Sequence, residues 1–198
     1  MNYPKSIQNL IDFFKELPSV GPKTAERYVF HLLKKPEAQI KLWASYLNDL
    51  KANTTICNSC QAISESNPCH ICQDDKRQKQ ILCLVKNTQD LAAIEATRQF
   101  SGRYFVLDGL INTIEDIGPN DINVSLLMKK IKNEGIQELI IALDFTLEGE
   151  TTTLYLNKAL KDYNVNISRL ARGLPAGSNL EYADETTLAT ALKNRNQI

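Results

Sequence analysis

From residue 81 onward the chain alternates between short unbroken apolar runs and longer stretches whose apolar residues recur every three or four positions. Residues 81–85, 104–107, 139–143 and 165–170 have the length and composition of strands. Segments 90–97, 122–132 and 153–163 between or after them read as helices, and a last helix falls near 185–192. Strands separated by helices at this spacing predict a mostly parallel sheet covered on both faces, an α/β fold. The front differs. Ile7, Leu10, Ile11, Phe14 and Leu17 recur at helical spacing until Pro18 stops the run. A second helix runs through Ala25, Tyr28, Val29, Leu32 and Leu33. A third, about 38–50, presents Ile40, Trp43, Leu47 and Leu50, with Trp43 and Tyr46 expected to pack.

A chain of 198 residues, 43% of them apolar, can bury a sizeable core but exceeds one average domain. One main domain with small appendages is expected. The formal net charge of zero hides a mild asymmetry: residues 1–80 carry 11 Lys/Arg against 8 Asp/Glu, and residues 81–198 carry 12 against 15. That balance permits nucleic-acid binding at the front without demanding it. The N-terminal stretch has no uninterrupted apolar core of a leader, and no run is long enough to cross a bilayer. The sequence thus predicts no membrane association and a reducing cytoplasmic setting.

Between the two halves lie Cys57-Asn-Ser-Cys60 and Cys69-His-Ile-Cys72, paired knuckles joined by a short polar loop. Four thiolates at this spacing can close a tetrahedral site around Zn²⁺ with no position left for substrate, so the metal would be structural. A pair of disulfides is the competing reading. Adjacent C-x-x-C disulfides are usually redox-active and sit at the head of a helix after a strand, whereas Asn, Ser, Thr and Pro crowd these knuckles. Zinc held by Cys57, Cys60, Cys69 and Cys72 is the expectation, with His70 a surface side chain and Cys83 a buried small hydrophobe.

The segment Leu17-Pro-Ser-Val-Gly-Pro-Lys23 joins two apolar helices by a tight turn. Such a hairpin points backbone N–H groups at the positive end of a helix dipole, where a phosphate can sit. Val20, Gly21 and Lys23 are the candidate donors, and Lys23 and Arg27 lie four apart on one face. Contacts of this kind position a protein on DNA without reading its sequence. The alternative is an ordinary helix connector, since the motif commonly has Gly where Ser19 stands.

The strand 139–143 runs into Asp144-Phe-Thr-Leu-Glu148-Gly149-Glu150. Acids at the C-terminal end of a strand occupy the usual ligand position of an open α/β sheet. The stretch resembles the acidic motif of Toprim domains, whose catalytic members hold Mg²⁺ there and carry a glutamate after the first strand. Here Lys86 follows the first strand and Thr146 takes the second acid position. Catalysis is therefore not expected, because both a metal cradle and a proton donor are required. Asp144, Glu148 and Glu150 can hold Mg²⁺ weakly, present a negative surface to a partner, or form a solvated turn capping the next helix. Lys129 and Lys130 are read as a solvated face. Arg169 and Arg172 are read as partners of Asp184 or Glu185, or of another subunit.

The order of these pieces resembles the RecR family of bacterial recombination mediators, from about residue 10 to 192. The marks are the cysteine spacing, Thr-Leu-Glu-Gly-Glu150, and Arg169-Leu-Ala-Arg-Gly-Leu-Pro175 through Leu180-Glu-Tyr-Ala-Asp-Glu185. The family usually has Glu at the Lys86 position and Asn-Pro at Asp144-Phe145, so this chain departs there. The resemblance implies a helix-hairpin-helix region at 1–53, a four-cysteine finger at 54–79, a Toprim domain at 80–170 and a C-terminal oligomerisation segment at 171–198. That last segment has been likened to a Walker B element. It further implies a non-enzymatic, nucleoid-associated clamp, dimeric or a tetrameric ring, acting with RecO and RecF. Such a clamp loads RecA on gapped or single-stranded DNA coated with single-strand-binding protein. Lys23 and Arg27 then fall at DNA-contacting positions, and Asp144, Glu148 and Glu150 on the acidic surface associated with RecO. A Mg²⁺-dependent Toprim nuclease is the alternative. The sulfur-held metal is expected to fix the geometry of the hairpin.

Overall fold

The computed structural model describes residues 3–195 and divides into two compact units, Met1–Thr54 and Thr55–Ile198. The first holds α1 (Lys5–Lys15), α2 (Pro22–Leu32) and α3 (Glu37–Ala52). Ile11, Ala25 and Val29 form its small core, with Ile7, Leu10, Phe14 and Val20 packed around them. Helix α3 buries none of its residues: Leu42, Tyr46, Leu47 and Leu50 are all exposed, so the packing expected of Tyr46 is not found among the described residues.

The second unit opens with a short antiparallel ribbon of β1 (Thr55–Ile56) and β2 (Ile63–Ser64), then the single turn α4 (His70–Gln73). Next come β3 (Gln78–Val85), α5 (Thr88–Ala96), β4 (Gly102–Val106), α6 (Val124–Glu134), β5 (Glu138–Ala142), α7 (Leu147–Ala159) and β6 (Asn166–Arg169). The tail ends in α8 (Glu185–Lys193). The four strands make one parallel sheet in the order β4-β3-β5-β6, with Leu82 beside Arg103 and Leu139, and Ile141 beside Arg169. Strand order reverses between β3 and β5, which places Lys86 and Asp144 at the crevice where open sheets hold ligands.

Period-two alternation splits the sheet into two faces. Leu82, Leu84, Phe105, Leu139 and Ile141 pack with Leu127 and Ile131 of α6 and Leu156 of α7. Cys83, Val85, Tyr104, Val106 and Ala142 pack on the other side with Leu91 of α5 and with all four knuckle cysteines. The strands read as unbroken apolar runs because both faces are covered. The second cover is largely the cysteine ribbon. Its core is the sheet's core, which corrects the expectation that the metal serves the hairpin.

Helix α7 starts six residues earlier than its apolar spacing suggests. Thr146 caps it, its hydroxyl accepting from the Gly149 N–H at 3.3 Å, and Glu148 and Glu150 stand in the first turn where negative charge suits the dipole. The chain turns so tightly here that a Cβ on Gly149 would lie 1.9 Å from the Asp144 carbonyl oxygen. At the ribbon's exit, Arg77 donates to Glu95 and, at 3.1 Å, to the Gly102 carbonyl, while the Tyr104 hydroxyl donates to Glu95 at 2.8 Å. The guanidinium beside Glu95 holds its carboxyl below the ordinary range.

Gly149→Ala is expected to destabilise the protein by about 3 kcal/mol, because the obstacle is backbone and cannot rotate away; urea unfolding measures it. Since the folded Glu95 pKa is depressed, its contribution is present above the unfolded value of about 4.3 and is lost as pH falls through the folded value. Glu95→Gln should therefore flatten the acid limb of a melting-temperature profile below that pH. An unchanged limb would exclude the clamp as its source.

Candidate functional site

The knuckles bring four sulfurs to one point. The Sγ atoms of Cys57, Cys60, Cys69 and Cys72 all lie within 4.8 Å of one another, with Cys60 and Cys69 3.6 Å apart. A tetrahedral Zn²⁺ with bonds of about 2.3 Å requires sulfurs about 3.8 Å apart, so the cage fits the ion. Backbone geometry makes it: the Cys57 N–H donates to the Ala62 carbonyl at 2.9 Å, and the Cys69 N–H to the Cys57 sulfur at 3.3 Å. All four side chains are buried, and His70 is exposed outside the cage. The Cys72 thiol is pushed down to about 5, chiefly because Cys60 donates to it, with Ser59, Cys69 and Cys57 assisting. The Cys60 thiol is raised by that same contact and by burial. Four buried sulfurs that exclude water suit a soft divalent cation, and four such ligands leave no open position for catalysis. Cys83 stands apart in β3, its thiol pushed up to about 12 by burial.

Two further bonds tie the ribbon to the sheet and to α5. The Val106 N–H on edge strand β4 donates to the Cys60 carbonyl at 2.8 Å, and the Ile63 N–H to the Thr88 hydroxyl at 3.0 Å. The ribbon thereby caps an open sheet edge.

In the hairpin, Ser19 adopts φ +64°, the left-handed conformation that glycine favours, so it does the turn work of the missing Gly. The Val20 N–H is spent inside the turn, donating to the Leu17 carbonyl at 3.1 Å, which removes it from the candidate donors. Gly21 is the extended N-cap and Pro22 the first helical residue, and a Cβ at Gly21 would meet nothing within 4 Å. Lys23 and Arg27 are exposed one turn apart on α2.

The three acids at the sheet's C-terminal edge occupy three different environments. Asp144 is exposed. Glu148 folds back on the helix start, where its own backbone N–H and the Thr146 hydroxyl lower its pKa, with Lys86 adding a smaller effect. Glu150 is paired with both Arg169, at 2.9 Å, and Arg172. Those guanidinium groups also stack on the Phe145 ring, 4.9 and 4.2 Å from its centroid. The arginines therefore do not pair with Asp184 or Glu185; Asp184 instead caps α8, accepting from the Thr187 N–H at 2.9 Å. Lys130, expected on a solvated face, is buried, a placement that helical spacing alone did not signal.

Family models cover most of the length: "RecR, helix-hairpin-helix" matches residues 7–50, "Toprim domain" 80–171 and "RecR, C-terminal" 173–196. A protein named Recombination protein RecR from Natranaerobius thermophilus is 44% identical over 197 residues, spanning 100% of this chain and 99% of its own. The chain belongs to the RecR family. Relatives of the same name from Staphylococcus saprophyticus and Staphylococcus aureus strain Newman are 42% identical over 198 residues, covering both chains fully. Among the described residues no helix is long and apolar enough to cross a membrane.

Metal analysis of the purified protein should find one zinc per chain. A thiol-reactive dye should leave Cys83 unmodified while zinc is bound and reach it once a strong chelator has removed the metal. Cys83 still protected after metal removal would show that the ribbon is not the sheet's cover.

Proposed function

We propose that this chain is a non-catalytic mediator of recombinational DNA repair that grips the sugar-phosphate backbone through its hairpin. What carries the reading is 42–44% identity, from end to end, to proteins named Recombination protein RecR. The hairpin supports it. Lys23 and Arg27 stand exposed beside the α2 N-terminus, and the Gly21 and Lys23 N–H groups donate to no acceptor among the described residues. A phosphate held there would meet two cations and a helix dipole.

Each chain offers few such contacts and has no net charge, so a single copy binds weakly. Assembly of several copies into a ring multiplies weak contacts through effective concentration. The bare apolar row on α3 supports self-association, because a sixteen-residue helix with no buried residue gains little within its own chain. In this reading residues 1–53 bind DNA, 54–79 hold structural zinc, 80–170 form the Toprim domain and 171–198 join copies. Asp144, with Glu148 beside it, faces RecO; RecF is the second partner; and the outcome is RecA loaded on gapped DNA cleared of single-strand-binding protein. Cytoplasmic, nucleoid-associated action follows from that role. Mg²⁺ has little to hold it, since Glu150 is neutralised, Thr146 is a cap and Lys86 stands near Glu148.

Replacing Lys23 and Arg27 together by Ala should weaken binding to gapped DNA roughly tenfold and lower the salt slope by about 2 per subunit engaged. Undiminished affinity would leave a protein adaptor instead. Incubation with supercoiled plasmid and Mg²⁺ or Mn²⁺ should give no nicking; cleavage that disappears in Glu148→Gln would establish the nuclease.

A further inference from the structure

Lys130 is only 7% exposed, a rare state for a lysine. Its Nζ donates to the Ser59 hydroxyl at 3.0 Å and pairs with Glu134, one turn further along α6, at 2.7 Å. Ser59 lies inside the first knuckle, one residue before the ligand Cys60. On the second knuckle, Arg103 of β4 donates to the backbone carbonyl of the ligand Cys72 at 3.2 Å, while its Nε is buried without a hydrogen-bond partner among the described residues. Each knuckle thus meets one cation. Neither cation belongs to the ribbon; both come from the sheet and its helices.

The chemistry of the cage gives these contacts a purpose. Zn²⁺ bound by four thiolates carries a net charge of about −2, and a buried charge is costly unless opposite charge or hydrogen bonds compensate it. The cations that follow Cys72 are Lys76, Arg77 and Lys79; Arg77 is engaged with Glu95 and the Gly102 carbonyl, and Lys79 with Asp75 at 2.7 Å. Burying an ammonium inside α6 is likewise costly, and one exposed Glu134 is a poor reason for it.

We propose that Lys130 and Arg103 form the outer layer of the zinc site, two cations from the Toprim body that fix the knuckles and offset the charge of the metal–thiolate cage. The inference rests on reading the sulfur cluster as a zinc centre. It makes these residues positioning groups for the metal, with no contact to zinc itself. It also makes metal retention depend on the sheet domain rather than on the four cysteines alone, as outer-layer partners do elsewhere.

Zinc release from the full-length, zinc-loaded protein into a colorimetric chelator tests this. Lys130→Met keeps the length and removes the charge, and should release zinc roughly tenfold faster; Lys130→Arg, which keeps the charge, should stay within about threefold of the original. Arg103→Met should also accelerate release, and circular dichroism in excess zinc should show each variant folded. Should Lys130→Met fail to fold, Ser59→Ala severs the same link with minimal change in packing and should accelerate release in its place. Release at the original rate from Arg103→Met together with Lys130→Met, or with Ser59→Ala where it stands in, would overturn the proposal while leaving the zinc centre intact. An unsubstituted protein that carries no zinc would overturn both.

Discussion

The second face of the sheet needs a cover, and the fold provides one too small to hold a core of its own. Cys83, Val85, Tyr104, Val106 and Ala142 present an apolar surface that α5, nine residues long, only partly spans. The ribbon that completes the layer has two-residue strands and one turn of helix, far below what an isolated segment needs to stay folded. Four sulfurs gathered at one point can close on a single ion, and binding of structural zinc by such peptides is worth roughly 10–16 kcal/mol and is itself folding energy. The dependence runs both ways. The ribbon packs into the sheet's core, and the sheet's second layer is the ribbon together with α5.

That mutual dependence explains which parts of the sequence were legible. The cysteine spacing announced the cage because ligand geometry is local, and the apolar runs announced the strands because both faces are buried. Nothing in a run such as Ile81–Val85 says what covers each side; that is decided by the β-strand period and by chain segments tens of residues away. Lys130 shows the same limit. It lies between Leu127 and Ile131 of the buried face, but a helix pattern cannot tell that a lysine will turn inward to meet a serine 71 positions earlier. The pairing of Glu150 with Arg169 and Arg172 spans 19 and 22 residues and was hidden for that reason. Ser19 was legible in part: the turn demanded a left-handed residue, and serine took that conformation without glycine's freedom.

The sheet's C-terminal crevice illustrates how one set of residue types can serve opposite ends. Acids placed at a switch point suggest a metal cradle. Here a lysine replaces the first acid, a threonine hydroxyl is consumed as a helix cap, and two arginines stacked on Phe145 neutralise Glu150. Aromatic stacking of this kind adds only about 0.5–1 kcal/mol per cation when exposed, yet it holds both guanidinium groups in place for the carboxylate. The departures occur together. Phe145 stands where the family usually has proline, and it is the platform that brings the C-terminal segment to Glu150.

Charge compensation then follows one rule at both ends of the Toprim body. At the crevice, Arg169 of β6 and Arg172 of the tail neutralise an acid of α7. At the ribbon, a lysine from α6 and an arginine from β4 each bond to one of the two cysteine knuckles. In each case the cation comes from a different element than the group it bonds, so the contact also joins two pieces of chain. A chain with no net charge presents little net field to DNA. In the proposed role the hairpin, whose Lys23 and Arg27 face solvent on one turn of α2, supplies the attraction.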